Sequence, residues 1–136
     1  MTDEKLKELR TKVASVLKDE RVVSPEYHDV LRELRAMAAA IEAELLPDTI
    51  EVRVEPGHRV NLGQQFLLVV RVPKADLRNV LLRAYVPAEG FPVSLDLFDG
   101  QQPRCANLDE LEREIIGFLH HPDVKDRLLA LKDIAA

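Results

Sequence analysis

The hydrophobic positions of the chain change period twice, from about 3.6 residues to 2 and back again. Before residue 48 and after residue 106, apolar side chains recur every three or four positions, which indicates helices with one buried face. Between these segments apolar and polar residues alternate, which is typical of strands with one face in the core. The pattern predicts one α+β domain with a helical hairpin at 1–47, an antiparallel sheet at 48–106 and C-terminal helices at 107–136.

Two helices are predicted in the first segment. The first is expected over residues 3–20, capped by Thr2, and Ser24 with Pro25 starts a second that runs up to Pro47. The apolar face of the second helix comprises Tyr27, Leu31, Leu34, Ala38, Ile41 and Leu45. We expect the two helices to form an antiparallel hairpin packed on the sheet. The alternative is that this face joins two copies of the chain, although it covers fewer than three heptads.

Four strands are predicted between residues 48 and 98. Their alternating apolar positions are Ile50, Val52 and Val54; Phe66, Leu68, Val70 and Val72; Val80, Leu82, Ala84 and Val86; and Phe91, Val93, Leu95 and Leu97. Turn residues separate the strands, beginning with Pro56 and Gly57, and the connections are too short for crossover helices. The sheet is therefore predicted to be an antiparallel meander with the helices on one face.

Two short stretches leave the strand count at four or five. The segment around Val60 and Leu62 is a candidate for a short extra strand, and the segment 103–107 is either a short return strand or an extended linker. Asn107 is placed to cap a third helix, with Glu110 in the position of a capping box. Pro122 then starts a fourth helix, and the two histidines before it are expected to end the third.

Composition and charge narrow the classes of partner. The chain has 136 residues, a net charge of −5 and no basic segment, so the electrostatic footprint of a nucleic-acid-binding protein is missing. No apolar stretch is long enough to span a membrane, and the start of the chain does not resemble a signal peptide. A single cysteine and an arginine-, alanine- and leucine-rich composition indicate a cytoplasmic protein of bacterial origin.

Candidate chemistry is sparse, and no residue motif points to a known family. Cys105 follows Arg104 and precedes a helix start, a setting that lowers a thiol pKa, but no base is placed beside it in sequence. The adjacent His120 and His121 diverge by about 100° on a helix, so they are poorly spaced for a metal. The carboxylates near residue 110 are what a helix N-terminus favours. We therefore predict no catalytic residue, no metal and no cofactor.

The face of the sheet that points away from the helices is the strongest candidate site. Alternation places seven candidate partner-binding residues there: Arg53, Val69, Arg71, Leu81, Arg83, Tyr85 and Phe98. Asp96 is expected beside them. Arginine and tyrosine are enriched at the centres of protein interfaces. The alternative is that Arg53, Arg71 and Arg83 only form weak cross-strand ion pairs with acidic neighbours.

Two functions follow from this pattern. The first is a non-enzymatic interaction module that binds a partner protein, or a second copy of itself, through the open sheet face. The second is a small enzyme or ligand-binding domain with a pocket between the sheet and the helices. That pocket would use Cys105, His28 or His58 and the carboxylates Asp96 and Asp99.

Overall fold

The architecture is α+β, as the hydrophobic pattern predicts. The structure is a computed structural model that describes residues 2–17, 23–60, 62–97 and 100–136. In chain order its elements are α1 (Asp3–Leu17), α2 (Pro25–Glu44), β1 (Glu51–Val60), β2 (Gly63–Val72), β3 (Leu77–Val86), β4 (Val93–Leu97), β5 (Arg104–Cys105), α3 (Leu108–His120) and α4 (Pro122–Ala135). The strands form one antiparallel meander in the order β1-β2-β3-β4-β5. The segment 103–107 thus contains the short return strand.

The helix starts follow the capping residues read from the sequence. Ser24 Oγ accepts a hydrogen bond from the Tyr27 amide at 3.4 Å and donates one to the Glu89 carbonyl at 2.7 Å, which ties α2 to the turn between β3 and β4. Asn107 Oδ1 accepts from the Glu110 amide at 2.9 Å, and the Glu110 carboxylate accepts from the Ala106 amide at 2.6 Å. This reciprocal pair confirms the predicted capping box, shifted by one residue on the amide side.

The core lies between one sheet face, which we call the inner face, and the helices α2, α3 and α4. Eight of the residues predicted to point inward are buried: Ile50, Val52, Leu68, Val70, Leu82, Ala84, Val93 and Leu95. Leu34 of α2 and Leu111 and Ile115 of α3 fill the space opposite them, and each is at most 2% exposed. Burial of these side chains supplies the main favourable contribution to folding.

The first helix differs from the expectation of a packed hairpin. α1 buries none of its residues, and Val16 and Leu17 are 82% and 75% exposed. The predicted end of this helix, residues 18–20, lies outside the described residues. Leu34 and Ala38 of α2 are buried in the chain's own core, so the middle of the α2 face considered as a contact between two copies is already occupied.

The predicted turn at Pro56 and Gly57 is wrong. Both residues lie within β1, where the register with β2 shifts between Pro56 and Arg59. The Gln64 side-chain amide donates to the Gly57 carbonyl at 2.9 Å and to the Gln65 carbonyl at 3.0 Å, which holds the irregularity in place. β1 is an edge strand and tolerates a proline. Val60 ends β1 and Leu62 lies in the connection to β2, so this segment adds no strand.

A bulge in β3 changes which residues face the core. Leu68 opposes Leu82 and Val69 opposes Val80, so Leu81 has no partner on β2. The extra residue breaks the alternation, and Leu81 turns into the core beside Leu82. Val80, which the sequence pattern placed inward, therefore lies on the opposite side.

None of the helices in the described ranges combines the length and the hydropathy that crossing a bilayer requires.

Candidate functional site

The sheet face opposite the core carries the candidate site. We call it the outer face. Every buried residue of α2, α3 and α4 belongs to the core cluster on the other side, and α1 buries none. Within the described residues the outer face is therefore not covered by a helix. The pairing registers place Leu67, Val69 and Val80 at its centre, with Arg53, Arg71, Arg78 and Arg83 around them.

The structure separates the seven sequence-predicted residues into three groups. Arg53, Arg71 and Arg83 are exposed on the outer face and Tyr85 is half-buried there, as expected. Val69 lies on this face but is 0% exposed, and Leu81 is 2% exposed in the core. The expectation that Val69 and Leu81 offer contact area is therefore wrong. Phe98 lies outside the described residues.

An ion pair across three strands explains the burial of Val69. Arg78 on β3 reaches Glu55 on β1, with its nitrogen 2.8 Å from the carboxylate oxygen. Glu55 opposes Leu67 and Arg78 opposes Arg71, so the two side chains meet above Val69, which lies between those positions on β2. The aliphatic part of an arginine covers apolar surface in this way while its guanidinium stays in water.

The other charges of the outer face pair only weakly. Arg53 lies 3.5 Å from Glu51, and Arg83 lies 3.8 Å from Asp96, its cross-strand neighbour. All four side chains are at least a third exposed, so each pair contributes a few tenths of a kcal/mol at most. Arg71 forms no ion pair with the described residues and opposes Arg78, a second cation. Its neighbour on β1 is Glu51, which pairs with Arg53, so the Arg71 guanidinium is open to an external carboxylate.

A depression of about 580 Å³ lies at one end of the outer face. The irregular part of β1 forms one wall with Pro56, Gly57 and His58, and Gln65, Leu67, Arg83 and Asp96 complete the lining. The Gln65 side-chain oxygen accepts from the His58 amide at 3.4 Å, which helps to position this wall. The depression is a concave region on a face that is otherwise an even, pleated surface.

Several outer-face residues were missed by sequence reasoning. Leu67 follows from the same alternation as Val69 and could have been found. Arg78 and Val80 could not, because they lie before the bulge at Leu81 and their side depends on it. His58 and Gln65 reach the depression only because β1 continues past the position where a turn was predicted. The hydrogen bond that holds this continuation runs from the Gln64 side-chain amide to the Gly57 carbonyl. It is a contact between two strands, which the sequence pattern does not show.

Cys105 is buried in the core where β5 meets α3. Burial raises the pKa of its thiol from 9.0 to about 11, and the Glu114 and Glu110 carboxylates add to the rise. The sequence argument that Arg104 and the helix start lower this pKa is wrong in direction. A thiol that holds its proton at neutral pH is a poor nucleophile.

The histidines and carboxylates considered for catalysis do not all meet at one place. His28 is exposed in the first turns of α2, whereas His58 and Asp96 line the depression on the outer face. His121 begins α4, where its Nδ1 accepts from the Asp123 amide at 3.3 Å. Within the described ranges, no group of three or more histidine, cysteine or acidic side chains is arranged to hold a metal ion. Asp99 lies outside those ranges.

Comparisons with known protein families, with curated proteins and with solved structures find no match for this chain.

Proposed function

We propose that this protein is a non-enzymatic interaction module, an accessory protein of the bacterial cytoplasm that binds a partner protein, or a second copy of itself, through the outer face. One observation carries the proposal. Within the described residues, a sheet face without a covering helix presents the half-buried side chains of Leu67 and Val80 among four arginines. An apolar contact bordered by arginine and tyrosine is the composition of a protein-binding surface.

The charges of the face indicate the chemistry of the partner. Around the apolar centre, four arginines stand against three carboxylates, Glu51, Glu55 and Asp96, in a chain whose net charge is −5. Arg71 has no ion-pair partner among the described residues. A partner that presents acidic side chains around an apolar contact would match this arrangement and would be guided to it electrostatically.

The test reverses two charges on the outer face. Arg71→Glu with Arg83→Glu places like charges beside Glu51 and Asp96, so we expect it to abolish partner binding. The substitutions are exposed, so the free energy of unfolding should fall by no more than about 1 kcal/mol. The matched control is Arg32→Glu with Arg113→Glu, which makes the same charge change on exposed positions of α2 and α3.

Binding is measured first by affinity capture from lysate of the source organism, and then with the purified partner at two salt concentrations. A partner that the native chain and the control retain but the outer-face variant loses supports the proposal. Equal retention by all three chains would place the binding surface elsewhere. If no chain captures a partner or associates with itself, the interaction module is rejected.

A further inference from the structure

α1 is an amphipathic helix whose apolar stripe is unoccupied in the single chain. The stripe consists of Leu6, Leu9, Val13, Val16 and Leu17, which recur at three- and four-residue spacing and lie within about 100° of the helix circumference. Leu6 and Val13 are 48% and 52% exposed, and Val16 and Leu17 are more exposed still. A row of apolar side chains of this length on a soluble helix indicates a surface that is covered in the functional state.

An apolar groove lies on the helical side of the molecule, away from the outer face. It is formed by the C-terminal half of α2 together with α3 and α4, and has a volume of about 280 Å³. We call it the helical groove, and its main lining residues are Met37, Ile41, Leu45, Ile116, Leu119 and Leu128. Ile116 is 41% exposed in it. The volume suits two or three aliphatic side chains of a docked helix.

The charges beside the two surfaces are complementary. Glu44 lines the helical groove, and Glu33 and Glu112 lie one helical turn before Met37 and Ile116, on the same helix faces. The α2 side of the groove is therefore acidic, whereas Lys125 and Lys132 flank the lining residue Leu128 on the α4 side at the same spacing.

Basic residues flank the stripe of α1. Lys5 and Lys12 lie one turn before Leu9 and Val16 on one side, and Arg10 lies one turn after Leu6 on the other. The ion pairs that Lys5 and Lys12 form with Glu8, at 3.9 and 3.1 Å, are exposed and exchange readily for partners across an interface. The apolar stripe therefore matches the apolar groove, and the basic flanks of α1 match the acidic α2 side of the groove.

A close hairpin within one chain cannot make this contact. Both helices rise 1.5 Å per residue, so folding α1 back against α2 from Leu17 and Pro25 sets Leu9 beside Glu33 and Val13 beside Asp29. The stripe would then lie against carboxylates. The helical groove, which begins at Met37, would lie beyond Leu6, where the stripe ends. The α1 helix of another molecule is free of this constraint.

We propose that α1 docks in the helical groove of a second copy of this chain, and that the second copy returns its own α1, so that a symmetric dimer forms. Exchange of one element is a simple route to a closed two-fold assembly. A helix of 15 residues is about 22 Å long and about 10 Å wide. Two such contacts together bury on the order of 1,000 Å², the area at which specific interfaces begin.

The dimer is tested by measuring molar mass by light scattering and by sedimentation over a range of concentrations. The native chain is expected to approach twice its 15.4 kDa. Leu9→Glu with Val13→Glu should weaken self-association by about 100-fold or more, because two charges would enter an apolar groove. Thr11→Glu with Ser15→Glu is the matched control on the polar side of α1 and should remain dimeric. A native chain that is monomeric throughout overturns the proposal.

A cross-chain disulfide then separates docking between copies from docking within one chain. Val13→Cys in one chain and Ala40→Cys in another, each with Cys105→Ala, should form a mixed disulfide when combined and oxidised. Ser15→Cys replaces Val13→Cys as the control and should react far more slowly. If the doubly substituted chain instead forms only an internal disulfide and stays monomeric, the helix docks on its own groove and the proposal is wrong.

The outer-face variant keeps this proposal distinct from the proposed function. Arg71→Glu with Arg83→Glu leaves α1 and the helical groove unchanged, so it should dimerise as the native chain does. A dimer that this variant abolishes and that Leu9→Glu with Val13→Glu leaves intact would run through the outer face. That result overturns the exchange of α1 and supports self-association through the sheet.

Discussion

At the scale of single residues, Cys105 shows how position in the core controls chemistry. Its neighbours in sequence include a cation and a helix start, which favour the thiolate. In the fold the sulfur is removed from water, and Glu114 and Glu110 lie close enough to oppose a negative charge. Desolvation is the largest cause of the raised pKa. The surroundings of the folded thiol therefore keep it neutral.

The raised pKa predicts a loss of stability in alkaline solution. The folded chain holds the proton up to about pH 11, whereas the unfolded chain releases it near 9.0. Stability from this difference is complete below pH 9 and is lost as pH rises towards 11, by roughly 3 kcal/mol at most. Urea unfolding under reducing conditions at low and high pH should show a steeper fall for the native chain than for Cys105→Ala. Parallel falls would contradict the burial of the thiol.

At the scale of elements, the exposed edge of the sheet is protected by a helix side chain. β1 has a strand partner on one side only. On its open side the Glu42 carboxylate of α2 accepts a hydrogen bond from the Val52 amide at 2.9 Å, and Pro56 further along has no amide hydrogen to offer. Open edges pair readily with other strands, so this contact protects against aggregation.

The edge contact can be tested with one position on α2. Glu42→Ala should destabilise the fold by about 1–3 kcal/mol, because it removes a hydrogen bond to a charged acceptor, and it should speed hydrogen exchange at the Val52 amide. Glu42→Gln retains an acceptor and should lose less. Asp126→Ala, on an exposed position of α4 outside the helical groove, is the control. Unchanged exchange at Val52 in Glu42→Ala would show that the carboxylate does not protect the edge.

The bulge in β3 sets the composition of the outer face. One extra residue moves Leu81 into the core and brings Val80 and Arg78 to the side of Arg53 and Arg71. Without it, Arg78, the one arginine of β3 before the bulge, would point toward the helices. Alternation places Arg83 and Tyr85, which follow the bulge, on the correct side and fails at Leu81 and Val80, because a strict period of 2 does not account for an inserted residue.

At the scale of the whole molecule, the two candidate surfaces lie on opposite sides. The outer face belongs to the sheet, whereas the helical groove lies among α2, α3 and α4. A dimer joined through the helical grooves leaves both outer faces open. The two proposals together describe a two-fold assembly that presents two copies of the arginine-ringed surface, which would strengthen binding to a partner with two sites.

Removal of α1 tests whether this helix contributes to dimerisation and not to the stability of the core. A chain that begins at Val23 keeps the Ser24 cap and every residue of the core cluster, so it should unfold within about 1 kcal/mol of the intact monomer at low concentration. Stability of the intact chain should rise with protein concentration, because dimerisation favours the folded state, and stability of the shortened chain should not. Circular dichroism during urea titration measures both. A large loss in the shortened chain at low concentration would show that α1 supports its own core.

Much of the fold could be predicted from local signals. Ser24 with Pro25 and Asn107 with Glu110 start helices because their side chains and backbone satisfy the free amides of a first turn, a requirement confined to a few residues. Alternation identified the inward residues of the sheet except at Val80 and Leu81, and the short connections excluded crossovers, which leaves an antiparallel meander. These are properties of neighbouring residues, and the sequence by itself determined them.

Tertiary structure decided the features that the site depends on. The bulge at Leu81, the continuation of β1 through Pro56 and Gly57, the cover over Val69 and the neutral thiol of Cys105 each result from contacts between residues distant in sequence. The exposure of α1 also depends on tertiary structure. Its stripe has the pattern of a buried helix face, yet none of the α1 residues is buried. Period and capping specify which face of an element is apolar, and only packing specifies what that face meets.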